Sequence, residues 1–150
     1  MRLWHKYLIT ALPRRQLVGQ WRECCLIAKN IKEKGTPNHI LVNRIMNYPI
    51  SDFCDYCNIV LKEMLKRGYH VSSKSIGCLE DNVDFYVDSC LNSDIFDGWH
   101  DDRYLTQCFY NLQEKYDCSG INKNEWETLE SRYVDLVCNA WAESYIRNEE

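Results

Sequence analysis

The 150-residue sequence lacks any apolar run of about 18 residues, the length that predicts a membrane-spanning helix. Residues 1–10 include basic side chains but no uninterrupted apolar stretch, so they do not resemble a secretory signal peptide. Internal repeats, low-complexity tracts and strand-rich stretches are also missing, which excludes solenoid and β-rich architectures. We therefore expect a cytoplasmic protein without a membrane partner, and a chain of this length suits one domain spanning residues 1–150.

The cysteines lack the arrangement that a structural metal site needs. Nine are present, and Cys54-x-x-Cys57 is the single motif with zinc-ligand spacing. Structural zinc usually takes four well-placed ligands, and this pair falls inside a predicted helix. Cys24, Cys25 and His5 are the other residues that such a site would recruit. Buried free thiols in a reducing compartment are the favoured interpretation, and we expect neither a metal nor another cofactor.

Hydrophobic periodicity predicts an all-α fold, a compact single-domain helical bundle. The first helix runs from Pro13 to about Lys34, and Gly35 ends it. The second spans 52–67, with Ser51 as its N-cap and Gly68 as its stop. Two more are expected over 101–116 and from about Asn124, where Asn124…Glu127 resembles a capping box. The apolar stripe of the last helix is Trp126, Leu129, Tyr133, Val137, Ala140 and Trp141.

Two segments are harder to assign. Residues 40–46 fit a short helix or an extended piece equally well. Residues 70–100 predict a loop with one short helix at most, because Asp, Ser and Gly interrupt the apolar runs. Trp4 and Trp99 lie outside the predicted helical stripes; core packing is favoured for both, and stacking on an extruded base is the alternative.

Charge divides the chain into two unlike halves. Residues 1–70 hold 12 Lys and Arg against 5 Asp and Glu, whereas residues 71–150 hold 6 against 17. A basic half on an acidic protein indicates one face built for an anion, although a solubilising acidic half explains the pattern equally well.

Two groups near the start of the chain are candidates for chemistry. Glu23 follows Gly19 by one helical turn, beside the basic stripe of the first helix, and a carboxylate there suits acid–base or charge-stabilising work. The α-amine of Met1 is the second, because the pKa of an α-amine lies roughly two units below that of lysine and more of it is neutral at pH 7. Taken singly, a glutamate of this kind is more often a solvated helix residue, and an N-terminal amine more often has no catalytic role.

The order of several motifs resembles the pyrimidine-dimer DNA glycosylase family of the phage endonuclease V type. The motifs are Met1-Arg2-Leu3, then Trp21-Arg22-Glu23, then Leu65-Lys66-Arg67-Gly68-Tyr69, then Trp99-His100-Asp101-Asp102. The resemblance covers about residues 1–118, and 119–150 form an additional C-terminal helix. It is greatest to a bacterial and viral branch that opens Met-Arg-Leu-Trp-His.

The resemblance implies a DNA glycosylase with AP lyase activity that needs no metal. The N-terminal amine attacks C1′ of a damaged nucleotide, forming a Schiff base, and the Glu of the Arg-Glu pair stabilises the sugar and assists β-elimination. Here these groups are the Met1 amine and Glu23, with Arg2 and Arg22 holding phosphates. Charge alone adds Arg14, Arg15, Lys29, Lys66 and Arg67 to the DNA-binding surface. The family also has a histidine near His100, which we interpret as an active-site wall residue.

Three departures from the family pattern bear on the substrate. Leu26 stands where phage-type enzymes have Arg, Gln16 stands where they have His, and an acidic helix replaces their basic, aromatic tail. The expected partner is double-stranded DNA carrying a pyrimidine dimer or an abasic site, bound by a monomer. Two other hypotheses remain: a catalytically inactive DNA-binding relative, and an interaction module that uses the acidic C-terminal helix.

Overall fold

The computed structural model describes residues 1–88 and 92–149, and within these ranges the chain folds into helices with no strand. The α-helices are α1 (Arg14–Lys34), α2 (Ile50–Lys66), α3 (Ser73–Val83), α4 (Asp102–Asp117) and α5 (Lys123–Glu149). Two 3₁₀ helices lie at Lys6–Ala11 and Asn43–Asn47. The all-α prediction is confirmed. Over the described part of the chain, no helix is both long and apolar enough to cross a membrane.

The predicted ends of α1 and α2 are confirmed where proline and glycine set them. Pro13 immediately precedes α1, and Gly35 follows it with φ 76°, its N–H donating to the Ile31 carbonyl at 2.9 Å. Gly68 takes φ 74° after α2, and its N–H donates to the Leu65 carbonyl at 3.0 Å. A side chain at these left-handed positions would be strained, so glycine stops both helices.

Two predicted N-caps are wrong by two residues. Ser51 lies inside α2, because Pro49 precedes the helix and occupies the capping position. At α5 the cap is Asn122, not Asn124: the Asn122 side chain accepts from the Glu125 N–H at 2.9 Å. Asn122-x-x-Glu125 has the same spacing as the pair that suggested Asn124, so local sequence alone fits both starts.

Each of the two segments that were hard to assign contains one short helix, as expected for 70–100 and as one of the two alternatives for 40–46. Residues 43–47 form the second 3₁₀ helix, and α3 occupies 11 residues of the 70–100 segment. The Ser72 side chain caps α3 by accepting from the Ser75 N–H at 3.2 Å. Because α3 packs along α1, the Trp21 indole N–H donates to the Ser75 hydroxyl at 3.0 Å.

The core lies where α1, α2 and α4 converge on the first 3₁₀ helix and the residues before it. Trp4 and Trp99 are 8% and 2% exposed, which confirms packing for both. The predicted stripe of α5 is correct only in its first half: Trp126 is buried, but Trp141 is 68% exposed because that end of the helix extends past the core. The eight cysteines within the described ranges are free, as expected, and Cys90 lies outside them.

Candidate active site

Residues 1–5, here called the N-terminal strap, are held by side chains from three helices. Arg2 N–H donates to Glu23 Oε2 at 3.3 Å, and Trp4 N–H donates to Gln20 Oε1 at 2.8 Å. The hydroxyl of Tyr104 on α4 donates to the Leu3 carbonyl at 2.6 Å. The strap is not part of a helix, so these bonds satisfy backbone groups that secondary structure would otherwise pair. They fix the path of the chain along α1.

Tyr56 on α2 adds the third helix to this arrangement. Its hydroxyl donates to the Trp4 carbonyl at 2.6 Å and also lies 3.0 Å from Gln20 Oε1. A phenol has one proton, so the shorter contact takes it. Burial raises the pKa of Tyr56 well above its usual range, which keeps the hydroxyl protonated and able to donate.

The strap brings the first residue of the chain next to Glu23. Three covalent bonds separate the Met1 nitrogen from the Arg2 nitrogen, which is itself bonded to the Glu23 carboxylate. The amine therefore lies within roughly 7 Å of that carboxylate. Both residues are half-buried, so they are accessible to a ligand. The structure thus brings together two residues that are 22 positions apart in sequence.

A cavity of about 360 Å³ opens beside Glu23. Its lining from the strap and α1 is Trp4, Arg15, Gln16, Gly19, Gln20 and Glu23, and Lys115 and Gly120 complete it. A Cβ placed on Gly19 would meet nothing within 4 Å, so this part of the wall is open. The lining thus includes one carboxylate, Glu23, and two cations, Arg15 and Lys115. Such a site suits a ligand that combines a phosphate with an uncharged reacting centre.

The other predicted DNA-binding residues are spread over the surface. Arg22 is exposed next to Glu23, and the Arg2 guanidinium lies 5.7 Å from the centre of the Trp4 ring. The Arg14 guanidinium lies 4.9 Å from the centre of the Tyr69 ring. Lys29 is exposed 4.0 Å from Glu33, and Lys66 is exposed at the end of α2. Arg15 alone among the seven lines the cavity with Glu23.

Arg67 does not extend the basic surface, because its guanidinium is occupied within the fold. It pairs with Glu63 at 2.7 Å and donates to the carbonyls of Leu12 at 2.7 Å and Thr10 at 3.2 Å. Its side chain is only 21% exposed. Arg67 instead anchors the turn between the first 3₁₀ helix and α1.

His100 likewise does not line the cavity. It is 6% exposed and packs in an aromatic cluster with His5, Phe96, Trp99 and Tyr104. Its Nδ1 accepts from the Lys6 N–H at 3.0 Å. Burial, then the nearby charges of His5, Lys6 and Arg44, lower the pKa of His100 well below its usual range. The ring is therefore neutral, and it supports the segment that follows the strap.

Sequence reasoning missed three residues of this site. Gln20 falls on the buried side of α1, and Gln16 was noted only as a departure from a family pattern. Lys115 belongs to the last turn of α4, about a hundred residues from Arg15 in sequence, and reaches the cavity only through the fold. A signal existed for the glutamines, because they lie at i−7 and i−3 from Glu23 and so share its face of the helix.

Comparison with known protein families adds an independent observation. A family model described as pyrimidine dimer DNA glycosylase matches residues 1–76, just over half of the chain. The chain belongs to the pyrimidine dimer DNA glycosylase family. Membership gives it the role of a DNA repair glycosylase that binds damaged DNA. No curated protein and no solved structure is significantly similar to it.

The part of this glycosylase that matches the family contains most of the candidate site. Residues 1–76 include the strap, α1 and α2, and therefore Met1, Gln20, Glu23 and Tyr56. Lys115 and Gly120 lie beyond the match. Six of the eight residues that line the cavity, including Glu23, are therefore within the family's region.

Proposed function

We propose that the protein is a DNA glycosylase with AP lyase activity that acts on pyrimidine dimers or abasic sites through the Met1 amine and Glu23. The observation that supports this most directly is the hydrogen bond from Arg2 N–H to the Glu23 carboxylate, since it holds the amine beside an acid–base group. Holding reacting groups together in this way is a large part of enzymatic rate enhancement.

The chemistry uses the amine as the nucleophile, and the iminium that it forms is the electron sink for elimination. The amine nitrogen bonds to C1′, the bond from C1′ to the base breaks, and the base leaves with a proton. That proton comes from the attacking amine. The C1′–O4′ bond then breaks, O4′ takes up a proton from solvent, and the nitrogen lone pair forms the C1′=N iminium. At an abasic site the same iminium forms when the amine adds to the C1′ aldehyde and water leaves. A proton then leaves C2′, the C3′–O bond breaks, and the strand is cut with the phosphate as leaving group. Water hydrolyses the remaining imine and restores the free amine.

Glu23 has two tasks in this sequence of steps. Its carboxylate stabilises the positive charge that develops on the sugar, and it accepts or relays protons during elimination. Arg15 and Lys115 line the cavity with Glu23, and Arg22 precedes it in the chain. We assign these three cations and Arg2 to the flanking phosphates. Reaching C1′ requires the damaged nucleotide to leave the stack, which costs least at a lesion.

The first test is borohydride trapping on a duplex with an abasic site, using protein whose intact mass shows a free N-terminus. We expect a covalent adduct that maps to Met1. Glu23→Gln keeps the shape and the acceptor for Arg2 N–H, and it should lower strand cleavage 10²–10⁴-fold, about the usual contribution of general acid–base catalysis. Glu33→Gln is the matched control, because Glu33 lies on the same helix, exposed and paired only with Lys29.

Three results would contradict the proposal. They are no adduct from protein with a free amine, an adduct that maps to a lysine, and full cleavage by Glu23→Gln. Binding to damaged DNA without an adduct would instead identify an inactive DNA-binding relative.

A further inference from the structure

The Gln20 side chain is buried between the N-terminal strap and the cavity, and its orientation is fixed. Gln20 is 1% exposed. The Trp4 N–H, 2.8 Å away, can only donate, so the atom that faces it must be the amide oxygen. The Tyr56 hydroxyl oxygen lies 3.0 Å from the same amide oxygen. The amide nitrogen must therefore point away from the strap.

That nitrogen has no hydrogen-bond partner among the residues that the structure describes. Leaving a buried donor unpaired is costly, so such atoms are uncommon. Gln16, one turn earlier on α1, has a buried and unpartnered Oε1 of its own. Both glutamines line the cavity beside Glu23. An unpaired donor and an unpaired acceptor thus occur together in the wall where the substrate is expected.

The charges around the cavity limit what Gln20 can bind. Glu23, three positions later on the same face of α1, disfavours an anion beside Gln20, whereas Arg15 and Lys115 of the same lining are available to a phosphate. An amide N–H beside a carboxylate suits an uncharged oxygen, such as a sugar oxygen or a base carbonyl. In damaged DNA both kinds of oxygen lie within one nucleotide of C1′.

We propose that Gln20 Nε2 donates a hydrogen bond to an uncharged oxygen of the damaged nucleotide, while its Oε1 holds the strap that carries the Met1 amine. This inference rests on the proposed function only in that the cavity receives the damaged nucleotide. Gln20 thereby joins substrate recognition to nucleophile placement through one side chain. Gln16 offers the complementary acceptor in the same wall.

The test measures binding of a duplex with a tetrahydrofuran abasic analogue, relative to an undamaged duplex, by fluorescence anisotropy. The analogue has no aldehyde, so this ratio does not depend on Schiff-base chemistry. Gln20→Met removes both ends of the amide and, if the acceptor is a sugar oxygen, should lower the damaged-to-intact ratio for this duplex about tenfold, the value of one hydrogen bond. Gln107→Met on the exposed side of α4 is the control and should leave the ratio unchanged.

Gln20→Glu separates the two ends of the side chain. It keeps an acceptor for Trp4 N–H, and it has a donor only while its carboxyl is protonated. Burial at this position, next to Glu23, should raise the pKa of the new carboxyl above its usual value of about 4.3. The ratio of this variant, divided by that of the wild type, should therefore fall as pH rises from 5 to 9. A role in folding alone predicts no such dependence once melting curves show both proteins folded. This variant also decides the matter if Gln20→Met does not fold.

A second duplex, containing a thymine dimer, locates the acceptor. Loss of preference with the tetrahydrofuran duplex places it on the sugar, and loss with the dimer alone places it on a base. If Gln20→Met is folded and binds both damaged duplexes with the wild-type damaged-to-intact ratio, the inference is overturned. If Gln20→Met is unfolded, a wild-type ratio in Gln20→Glu that does not change with pH overturns it. Failure of borohydride trapping while Gln20 variants lose preference would count against the lyase mechanism and leave this inference standing.

Discussion

At the scale of single residues, His5 and His100 form a buried pair of neutral imidazoles. Their rings stack with centroids 5.1 Å apart. His5 Nδ1 accepts from the Tyr7 N–H at 3.2 Å, and His100 Nδ1 accepts from the Lys6 N–H. Burial lowers the pKa of His5 to about 4, and that of His100 is also lowered. Both rings thus act as acceptors that hold the chain directly after the strap.

This pair makes stability depend on pH in the acid range. The unfolded chain protonates its histidines near pH 6.5, whereas folded His5 resists protonation down to about pH 4. Between these values the unfolded state binds more protons, so the free energy of unfolding falls as pH falls. His5 alone should contribute a loss of roughly 3 kcal/mol across this window.

Urea denaturation at pH 4.5, 5.5, 6.5 and 7.5 measures this loss. A His5→Gln variant should show a shallower decline than the wild type, and His70→Gln, which alters an exposed side chain, should keep the wild-type slope. Equal slopes in all three proteins would show that other groups control acid unfolding.

Arg67 is the second residue whose role is structural. Replacing it with Met breaks the pairing with Glu63, whose side chain is 9% exposed, and leaves the carbonyls of Thr10 and Leu12 without their donors. We expect a loss of about 2–4 kcal/mol in the free energy of unfolding. Lys66→Met, next to it and exposed, should change that free energy by less than about 0.5 kcal/mol. Chemical denaturation compares the two, and similar values would contradict the anchoring role.

At the scale of elements, α5 has two unlike halves. Its first half packs on α4: the Tyr133 and Phe109 rings stack 3.9 Å apart, and Trp126 stacks on Tyr116 at 4.9 Å. Beyond it Trp141, Tyr145 and Ile146 are 68%, 55% and 60% exposed. Only the first half contributes buried apolar area to the fold.

Truncation tests this division directly. Removing residues 141–150 should change the free energy of unfolding by less than about 1 kcal/mol, because residues 141–148 are exposed. Trp126→Ala, in the first half, should cost about 3–5 kcal/mol. Both values come from urea unfolding monitored by circular dichroism. A large loss on truncation would mean that the second half of α5 is packed in solution.

At the scale of the whole molecule, charge is the feature with a functional consequence. Arg15 and Lys115 come from opposite charge halves of the sequence, yet they flank one cavity. If each contacts a phosphate, Arg15→Ala and Lys115→Ala should each make the negative slope of log K against log salt concentration less steep by about 0.9 for duplex DNA. Lys123→Ala, exposed and paired with Glu127, should leave the slope unchanged. Anisotropy titrations over a salt series provide the slopes, and three identical slopes would remove both residues from the interface.

Local sequence predicted most of the helices, because the signals that start and stop them are local. Pro13 and Gly35 set the limits of α1, and Asp101 caps α4 by accepting from the Tyr104 N–H at 2.9 Å, as the predicted start at 101 requires. The length of α3 was not predicted, because polar residues interrupt its short apolar stripe. Leu79 and Val83 are the buried residues of that helix. Trp141 was misplaced because helical periodicity continues beyond the point where there is a core to pack against.

The sequence by itself determined the helical class, the limits of α1 and the motif order that identified the family, since each depends on residues close together in the chain. It also nominated Met1 and Glu23, which remain a proposal. Only the tertiary structure decided that the strap lies along α1, that Lys115 and Arg15 line the same cavity, and that Gln20 Nε2 is a buried donor without a partner among the described residues. Those facts depend on which side chains meet across helices, and packing rather than local propensity determines which side chains meet.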